Sequence, residues 1–343
     1  MSTPPSRPTL GAAGGGPALG SVSRPLITVE QLVARLADPA LAAGTLVADV
    51  RWVLGQPGAG RAAYEAGHIP GGIHLDLDDD LADPDGFGAP GRHPLPTVAA
   101  FGDRLRAWGV DDDTLVVGYD DVGGWVAARL WWMLDNLGHT LPGRGGAAVL
   151  DGGWNAWRDA GLPVSTDRAP APRHGGARLT LADRWTNVID REELRGRLGT
   201  LTLLDARAPA RYRGETEPID PVAGHIPTAL SAPWDATLDS DGRFKPAGEL
   251  RRVLESLGAA GGLRGSGTRA DGGETTPTVV SCGSGTSAVQ HIVAARLAGL
   301  PDPILYVGSY SDWSRSGLPV ATGSEPGSAS MARSAETPAV DSA

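Results

Sequence analysis

The only cysteine of the chain, Cys282, is the residue best suited to covalent chemistry. It stands in the run 278–287, after an apolar stretch and before the helical pattern 288–297. Gly283 and Gly285 let the backbone curl so that successive amide N–H groups point at the sulfur, and the helix that follows adds its positive end. Both effects favour the thiolate, which is the reactive form of cysteine. A buried cysteine that only fills space is the alternative, but a run this polar and glycine-rich argues against it.

The sequence contains an internal repeat. Three segments of the first half recur in the second: 47–51 as 203–207, 67–70 as 224–227, and 161–164 as 317–320. The first and last pairs are each separated by 156 positions, as are Trp157 and Trp313. A constant spacing at both ends of the unit predicts two copies of one domain, with insertions confined to loops.

Apolar runs of strand length alternate with helical patterns in each copy. The strand-like runs are 46–50, 114–117, 201–204 and 278–280, and the helical patterns are 29–36, 98–108, 126–137, 191–198 and 288–297. This alternation predicts an α/β fold in which each domain is a mostly parallel sheet with helices on both faces.

In the loop that begins at Cys282 and in its internal repeat, the chain resembles the tandem-domain sulfurtransferases of the rhodanese superfamily. The loop is similar to the Cys-Gly-Ser-Gly-Val-Thr loop of 3-mercaptopyruvate sulfurtransferases, from which Thr286-Ser287 departs mildly. The resemblance implies two rhodanese-like domains, an inactive one at 25–166 and a catalytic one at 181–320. Composition predicts a linker at 167–180 and disordered tails at 1–24 and 321–343.

The first copy has no nucleophile where the second has Cys282. Tyr119 or Asp120 falls in that register. A carboxylate cannot accept a sulfane sulfur, so the first domain is expected to be a scaffold.

The resemblance also implies roles for the loop residues. Cys282 accepts the sulfur, while Gly283, Gly285, Thr286 and Ser287 bind the donor and stabilise the developing charge with their backbone amides.

Arg211 matches the arginine of the family's Arg-aromatic-x-Gly segment, which holds the anionic group of the donor. A guanidinium suits a carboxylate because it can donate two parallel hydrogen bonds. The alternative is a surface arginine paired with Glu215 or Glu217. The family's second arginine, from a Pro-Glu-Pro-Arg stretch, is missing in the segment 217–221. Arg213 is the candidate residue to compensate for it.

The resemblance further implies a relay in which Ser284, His93 and Asp78 meet at the domain interface. A histidine oriented by a carboxylate can polarise a serine hydroxyl towards a substrate carbonyl. The alternative is that 78–80 is a solvated acidic run and His93 a turn residue.

Composition limits the compartment, partners and cofactors. One cysteine allows no intrachain disulfide and suits a reducing compartment, so we expect a cytoplasmic protein. A net charge of −10 argues against nucleic acid as a partner, and no stretch approaches the length of a membrane span. The seven histidines and one cysteine lack metal-ligand spacing, and sulfur transfer needs no organic cofactor, so we expect neither metal nor cofactor.

The implied reaction is a ping-pong sulfur transfer. Cys282 takes the sulfur of a small-molecule donor, becomes a persulfide, and passes the outer sulfur to cyanide, a small thiol or a protein thiol. Neutral Gly283 and Ser284 replace the basic residues of thiosulfate-specific members, which favours 3-mercaptopyruvate as donor. The alternatives are a thiosulfate sulfurtransferase and a persulfide carrier without turnover. Phosphatase activity is disfavoured because Ala288 stands where the phosphate-binding arginine would be.

Overall fold

A computed structural model describes residues 25–86, 90–169, 178–257 and 276–333. The predicted tail 1–24, the middle of the predicted linker (170–177) and the end of the chain from 334 lie outside the described residues.

Each half of the chain forms one five-stranded parallel sheet. The strands of the first half are β1 (Leu26–Ile27), β2 (Thr45–Asp49), β3 (Ile73–His74), β4 (Leu115–Tyr119) and β5 (Ala147–Leu150). Those of the second half are β6 (Val188–Ile189), β7 (Thr202–Asp205), β8 (Ala229–Ser231), β9 (Thr278–Ser281) and β10 (Ile304–Tyr306). The strand orders, β1-β5-β4-β2-β3 and β6-β10-β9-β7-β8, are the same in both halves, as the repeat predicts.

Helices connect the strands. The first domain contains α1 (Val29–Ala37), α2 (Pro39–Ala43), α3 (Ala59–Ala66), α4 (Val98–Ala107), α5 (Trp125–Asn136) and α6 (Gly153–Asp159). The second contains α7 (Arg191–Arg197), α8 (Pro209–Tyr212), α9 (Ala247–Ser256), α10 (Val289–Leu297), α11 (Ser309–Arg315) and α12 (Ala329–Arg333). Short 3₁₀ turns lie at Pro84–Gly86 and Trp234–Thr237. The predicted α/β fold class is confirmed.

Alternate residues of the central strands face opposite cores, because side chains along a strand alternate between the two faces of its sheet. In β4, Val116 packs in a core with α5, whereas Val117 packs in a core with α1 and α6. In β9, Val280 packs in the core that contains α10, whereas Val279 packs in the core that contains α11. The core that holds α5 and α10 is continuous across both domains, so these helices join the two halves.

The predicted disordered tail 321–343 is wrong for residues 321–333, which are folded. Ala321 is buried and forms an antiparallel bridge with His225, with N···O distances of 2.8 Å in both directions. The backbone of Thr228 also donates to Pro326 O, and α12 packs against α7. The segment folds because it pairs with polar backbone groups of the turn before β8, which composition alone does not reveal.

Candidate functional site

The nucleophile follows β9, at the carboxyl end of the strand, where the chain turns into α10. Cys282 is buried, yet it lines a cavity of about 380 Å³ between the domains. First-domain residues Trp52, Arg92 and His93 line the same cavity. The carboxyl ends of parallel strands meet at one edge of a sheet, which is where such folds place ligands.

Two backbone amides hold the sulfur. Gly285 N lies 3.1 Å from Cys282 Sγ and Ser284 N lies 3.5 Å from it. Gly285 has a φ of +78°, and a Cβ on it would lie 2.3 Å from Val307 O, so this position requires glycine. The expected cradle of amides over 283–287 is therefore narrower: in the described part of the chain only those two amides donate to the sulfur, and the Ser309 hydroxyl reaches it at 4.0 Å.

Asp120 occupies the place of the nucleophile in the first domain. It follows β4 as Cys282 follows β9, and its carbonyl accepts from Trp154 N as that of Cys282 accepts from Tyr310 N. Its carboxylate accepts four backbone hydrogen bonds, from Val122, Gly124, Val126 and Ala127. Burial raises the pKa of this carboxyl group, and the four backbone donors oppose the shift. The equivalent loop thus encloses a carboxyl group in place of the thiol.

The structure brings the three residues of the expected relay together across the interface. His93 Nδ1 lies 2.7 Å from Ser284 Oγ, and His93 Nε2 lies 3.0 Å from Asp78 Oδ1. Thr286 Oγ1 is 3.4 Å from the same Nδ1, and Ser287 lines the cavity beside it. The distances are those of hydrogen bonds, and they connect a first-domain histidine to the loop that carries the nucleophile.

The neutral form of His93 fits this geometry. Burial lowers its pKa, and the neighbouring Asp78 opposes the shift only in part. The hydrogen bond from His93 in turn lowers the pKa of Asp78, which stays a carboxylate acceptor. Nε2 therefore carries the hydrogen and donates to Asp78, leaving the Nδ1 lone pair to accept from the Ser284 hydroxyl.

Trp52 positions the relay, a role that the sequence did not predict. Its Nε1 donates to Asp78 Oδ2 at 2.8 Å, and its ring packs edge-on against His93 with centroids 5.3 Å apart. Trp52 directly follows the repeated segment 47–51. The repeat does not point to this contact, because the second copy, 203–207, is not followed by a tryptophan.

Arg129 in α5 ties the relay to the nucleophile loop. It is completely buried, and its guanidinium donates to the carbonyls of Leu81 at 3.0 Å, His93 at 2.9 Å and Gly285 at 3.3 Å. Burial lowers its pKa to about 10, so it remains a cation at neutral pH. No recognisable sequence pattern marks it, because its partners are backbone carbonyls.

Arg211 faces the cavity with one end of its guanidinium while the other end is held by carboxylates. Nε and Nη2 donate to Glu217 at 3.2 and 2.6 Å, and Nη2 also reaches Asp220 at 3.2 Å. A Cβ built on Gly283 would lie 3.5 Å from Nη1, which has no hydrogen-bond partner among the described residues. Arg211 therefore combines the two alternatives considered from the sequence: it pairs with Glu217 and it also faces the cavity.

Arg213, the candidate to compensate for the missing second arginine, is not placed to do so. Arg213 pairs with Glu215 at 2.7 Å and does not line the cavity. It lies just beyond the short helix α8, where its side chain turns towards solvent.

A family model described as the rhodanese-like domain matches residues 28–160 and again 190–316. The chain belongs to the rhodanese family. These two ranges fall within the domains predicted from the repeat.

Curated members of the rhodanese family are similar over nearly the whole chain. A probable 3-mercaptopyruvate sulfurtransferase of Pseudomonas aeruginosa is 43% identical over 88% of this chain and 99% of that protein. A putative thiosulfate sulfurtransferase, SseB, of Mycobacterium tuberculosis is 37% identical over 84% of this chain and 93% of that protein. These relatives establish the chain as a rhodanese-family sulfurtransferase, and their names divide between two donors.

Solved structures agree with this assignment. The 3-mercaptopyruvate sulfurtransferase of Leishmania major superposes with a TM-score of 0.69 at 26% identity, covering 85% of this chain and 75% of that one. The Escherichia coli 3-mercaptopyruvate enzyme SseA superposes with a TM-score of 0.65 at 27% identity, covering 84% of this chain and 99% of that one. No helix in the described part of the chain is long and apolar enough to cross a membrane.

Proposed function

We propose that the protein transfers sulfur from 3-mercaptopyruvate, through a persulfide on Cys282, to cyanide, a small thiol or a protein thiol. One observation carries this proposal: the nucleophile, the guanidinium of Arg211 and two members of the relay, Ser284 and His93, all line a single cavity. The reaction needs no metal or organic cofactor. A lone cysteine that must stay reduced supports a cytoplasmic location.

The first half-reaction is an attack of the Cys282 thiolate on the donor sulfur. The new S–S bond forms as the C–S bond of the donor breaks, and the electron pair of that bond becomes the enolate of pyruvate. The proton that the donor sulfur carried ends on the enolate carbon, which leaves pyruvate and an ionised persulfide. The two amides on Sγ stabilise the anionic nucleophile.

Ser284 is placed to stabilise the leaving enolate. Its hydroxyl hydrogen-bonds to His93 Nδ1 and can turn to the carbonyl oxygen of a bound keto acid. A keto acid offers this oxygen, whereas thiosulfate does not. The neutral side chains at 283 and 284 likewise give no added attraction to a dianion.

Two other functions remain to be separated by experiment. Thiosulfate as the preferred donor is favoured by the names of some relatives. A persulfide carrier without turnover would need no donor cavity, and the 380 Å³ cavity at Cys282 supports turnover of a small donor instead.

The donor preference is tested by measuring kcat/KM for 3-mercaptopyruvate and thiosulfate side by side, with cyanide as acceptor. We expect the value for 3-mercaptopyruvate to be higher, because only that donor uses the Ser284 hydroxyl. Ser284→Ala should reduce the rate with 3-mercaptopyruvate more than the rate with thiosulfate. A higher kcat/KM for thiosulfate in the wild type would reverse the assignment, and single-turnover persulfide formation without release to any acceptor would indicate a carrier.

Arg211 is expected to anchor the donor anion. Arg211→Lys keeps the positive charge but loses the planar fork, so kcat/KM should fall about tenfold, or about 1.4 kcal/mol. Arg211→Ala should fall further. Arg213→Ala is the matched control, since Arg213 lies outside the cavity, and its kinetics should match the wild type. Unchanged kinetics in both Arg211 variants would remove this residue from the donor site.

A further inference from the structure

A second cavity lies on the first domain and is separate from the one at the nucleophile. Its volume is about 470 Å³, and none of its lining residues also lines the cavity at Cys282. Its charged residues are Arg51, Asp121 and Arg158, and its one aromatic ring is that of Trp154. We call this cavity the first-domain pocket. Its volume lies in the range of small-molecule sites.

Arg51 has the same setting as Arg207, which stands 156 positions later in the second copy of the repeat. Each guanidinium binds the carboxylate two residues before it through Nε and Nη2, and Nη2 also donates to a glycine carbonyl. Each also lies over an aromatic ring, that of Trp154 at 4.6 Å and that of Tyr310 at 3.7 Å. The repeat therefore contains one guanidinium site twice.

The two copies differ at the remaining nitrogen, Nη1. In the second domain, Arg207 Nη1 donates to Glu217 at 3.4 Å. Between the same two repeated segments, the first domain has helix α3, and Arg51 Nη1 makes no hydrogen bond with any residue that the structure describes. The second copy thus provides its own carboxylate, whereas the first leaves the place of that carboxylate open to a ligand.

Two further groups of the pocket are unpaired. Arg158 and Asp121 are exposed at the rim, and the side chain of neither forms a hydrogen bond or ion pair with another described residue. Arg51 is balanced by Asp49, so the rim adds one charge of each sign and the pocket as a whole is neutral. A ligand that carries both charges suits such a pocket better than an ion of one sign.

The rest of the wall is apolar. Ala63, Ala66 and Val164 line it together with the indole of Trp154. Val164 is 48% exposed, whereas its counterpart in the second copy, Val320, is partly covered. Covering this wall removes apolar surface from water, which favours a ligand with an aliphatic side chain.

We propose that the first-domain pocket binds a free α-amino acid with an aliphatic side chain. The ligand carboxylate accepts from Arg51 Nη1 and from the Arg158 guanidinium, and the ligand ammonium donates to Asp121. The side chain packs on Trp154 and Val164. The proposal does not depend on which sulfur donor the enzyme uses, and it gives the domain without a nucleophile a ligand of its own.

The test is isothermal titration of the full chain with L-leucine and with two analogues that each lack one charge. We expect saturable binding of one L-leucine per chain. The amine-free 4-methylpentanoate and the carboxylate-free 3-methylbutylamine should each bind at least about tenfold more weakly, because each loses a charge-assisted hydrogen bond. Absence of saturable L-leucine binding up to about 10 mM would overturn the proposal, as would equal affinity for either analogue.

Variants of the rim locate the ligand. Arg158→Gln and Asp121→Asn should each weaken L-leucine binding about tenfold, and Ala66→Trp should abolish it by filling the pocket. Arg61→Gln and Asp159→Asn are the matched controls, since both residues are exposed neighbours that do not line the pocket. Their affinity and all five thermal unfolding midpoints should stay near wild type. Unchanged affinity in the three test variants, or an equal loss in the controls, would refute the assignment.

The catalytic cavity is the competing place for a carboxylate, since Arg211 lines it. Arg211→Ala should bind L-leucine with the wild-type affinity, because this residue is not part of the first-domain pocket. A loss of binding in Arg211→Ala, with binding kept in Arg158→Gln, would place the ligand at the nucleophile and overturn the proposal. Failure of the enzyme to use 3-mercaptopyruvate leaves the expected titrations unchanged, so the two proposals are tested separately.

Discussion

Cys282→Ser is expected to abolish sulfur transfer completely. The chain has no other cysteine, so no second thiol can form the persulfide. Serine fits the same buried position, and its hydroxyl is far less acidic and less nucleophilic than a thiol. Wild-type protein incubated with donor should gain about 32 Da, one sulfur atom, in its intact mass, and the variant should gain nothing.

The thermal unfolding midpoint provides the control for Cys282→Ser. It should stay near the wild-type value, because the substitution exchanges one small atom in an intact loop. Turnover above about one per cent of wild type in a correctly folded variant would contradict the persulfide mechanism.

Replacing His93 with alanine is expected to have the next largest effect. The variant leaves the Ser284 hydroxyl without its acceptor and separates Asp78 from the loop, so kcat with 3-mercaptopyruvate should fall about 10²–10³-fold. Alkylation of Cys282 by iodoacetamide should persist, since the amides on the sulfur are untouched. His139→Ala is the matched control, because His139 is another buried first-domain histidine that lies away from the cavity.

The pH dependence distinguishes a relay from a merely structural histidine. The neutral form of His93 accepts the serine proton, and burial lowers its pKa, so activity should be lost only as the pH falls below the usual histidine range. Asp78 raises the pKa of His93, and Asp78→Asn should therefore move this acidic limb to still lower pH while reducing kcat. A limb that stays in place in Asp78→Asn would belong to another group and would exclude His93 as its source.

The fold class and the loop around Cys282 could be predicted from the sequence, because both depend on local residue patterns. The buried strand before Cys282 and the glycine at 285 can be identified from the run itself. The repeat predicts that the two halves share one strand order, but the order itself comes from the structure. The geometry of the relay is different, since Ser284 and His93 are 191 positions apart and only the family resemblance connects them.

Contacts between side chains that lie far apart in the sequence, and that belong to no common motif, could not be predicted. Arg92 and Asp220 form an ion pair but lie 128 positions apart, and each is an ordinary charged residue in its own segment. The buried Arg129 bonds to carbonyl oxygens, which every residue carries. The folding of 321–333 depends on backbone pairing with the turn at 225, and small polar side chains leave no trace of such pairing in composition.

Because the two halves of the chain each contribute residues to the site, the parts of the site are synthesised one after the other. The first half leaves the ribosome first and can fold as a unit before the second is complete. It already carries Arg92, His93 and Arg129, whereas the thiol is made later. The amides that hold the sulfur belong to the second domain itself, but the relay and the interdomain cavity around Cys282 are complete only when the second domain has docked on the first.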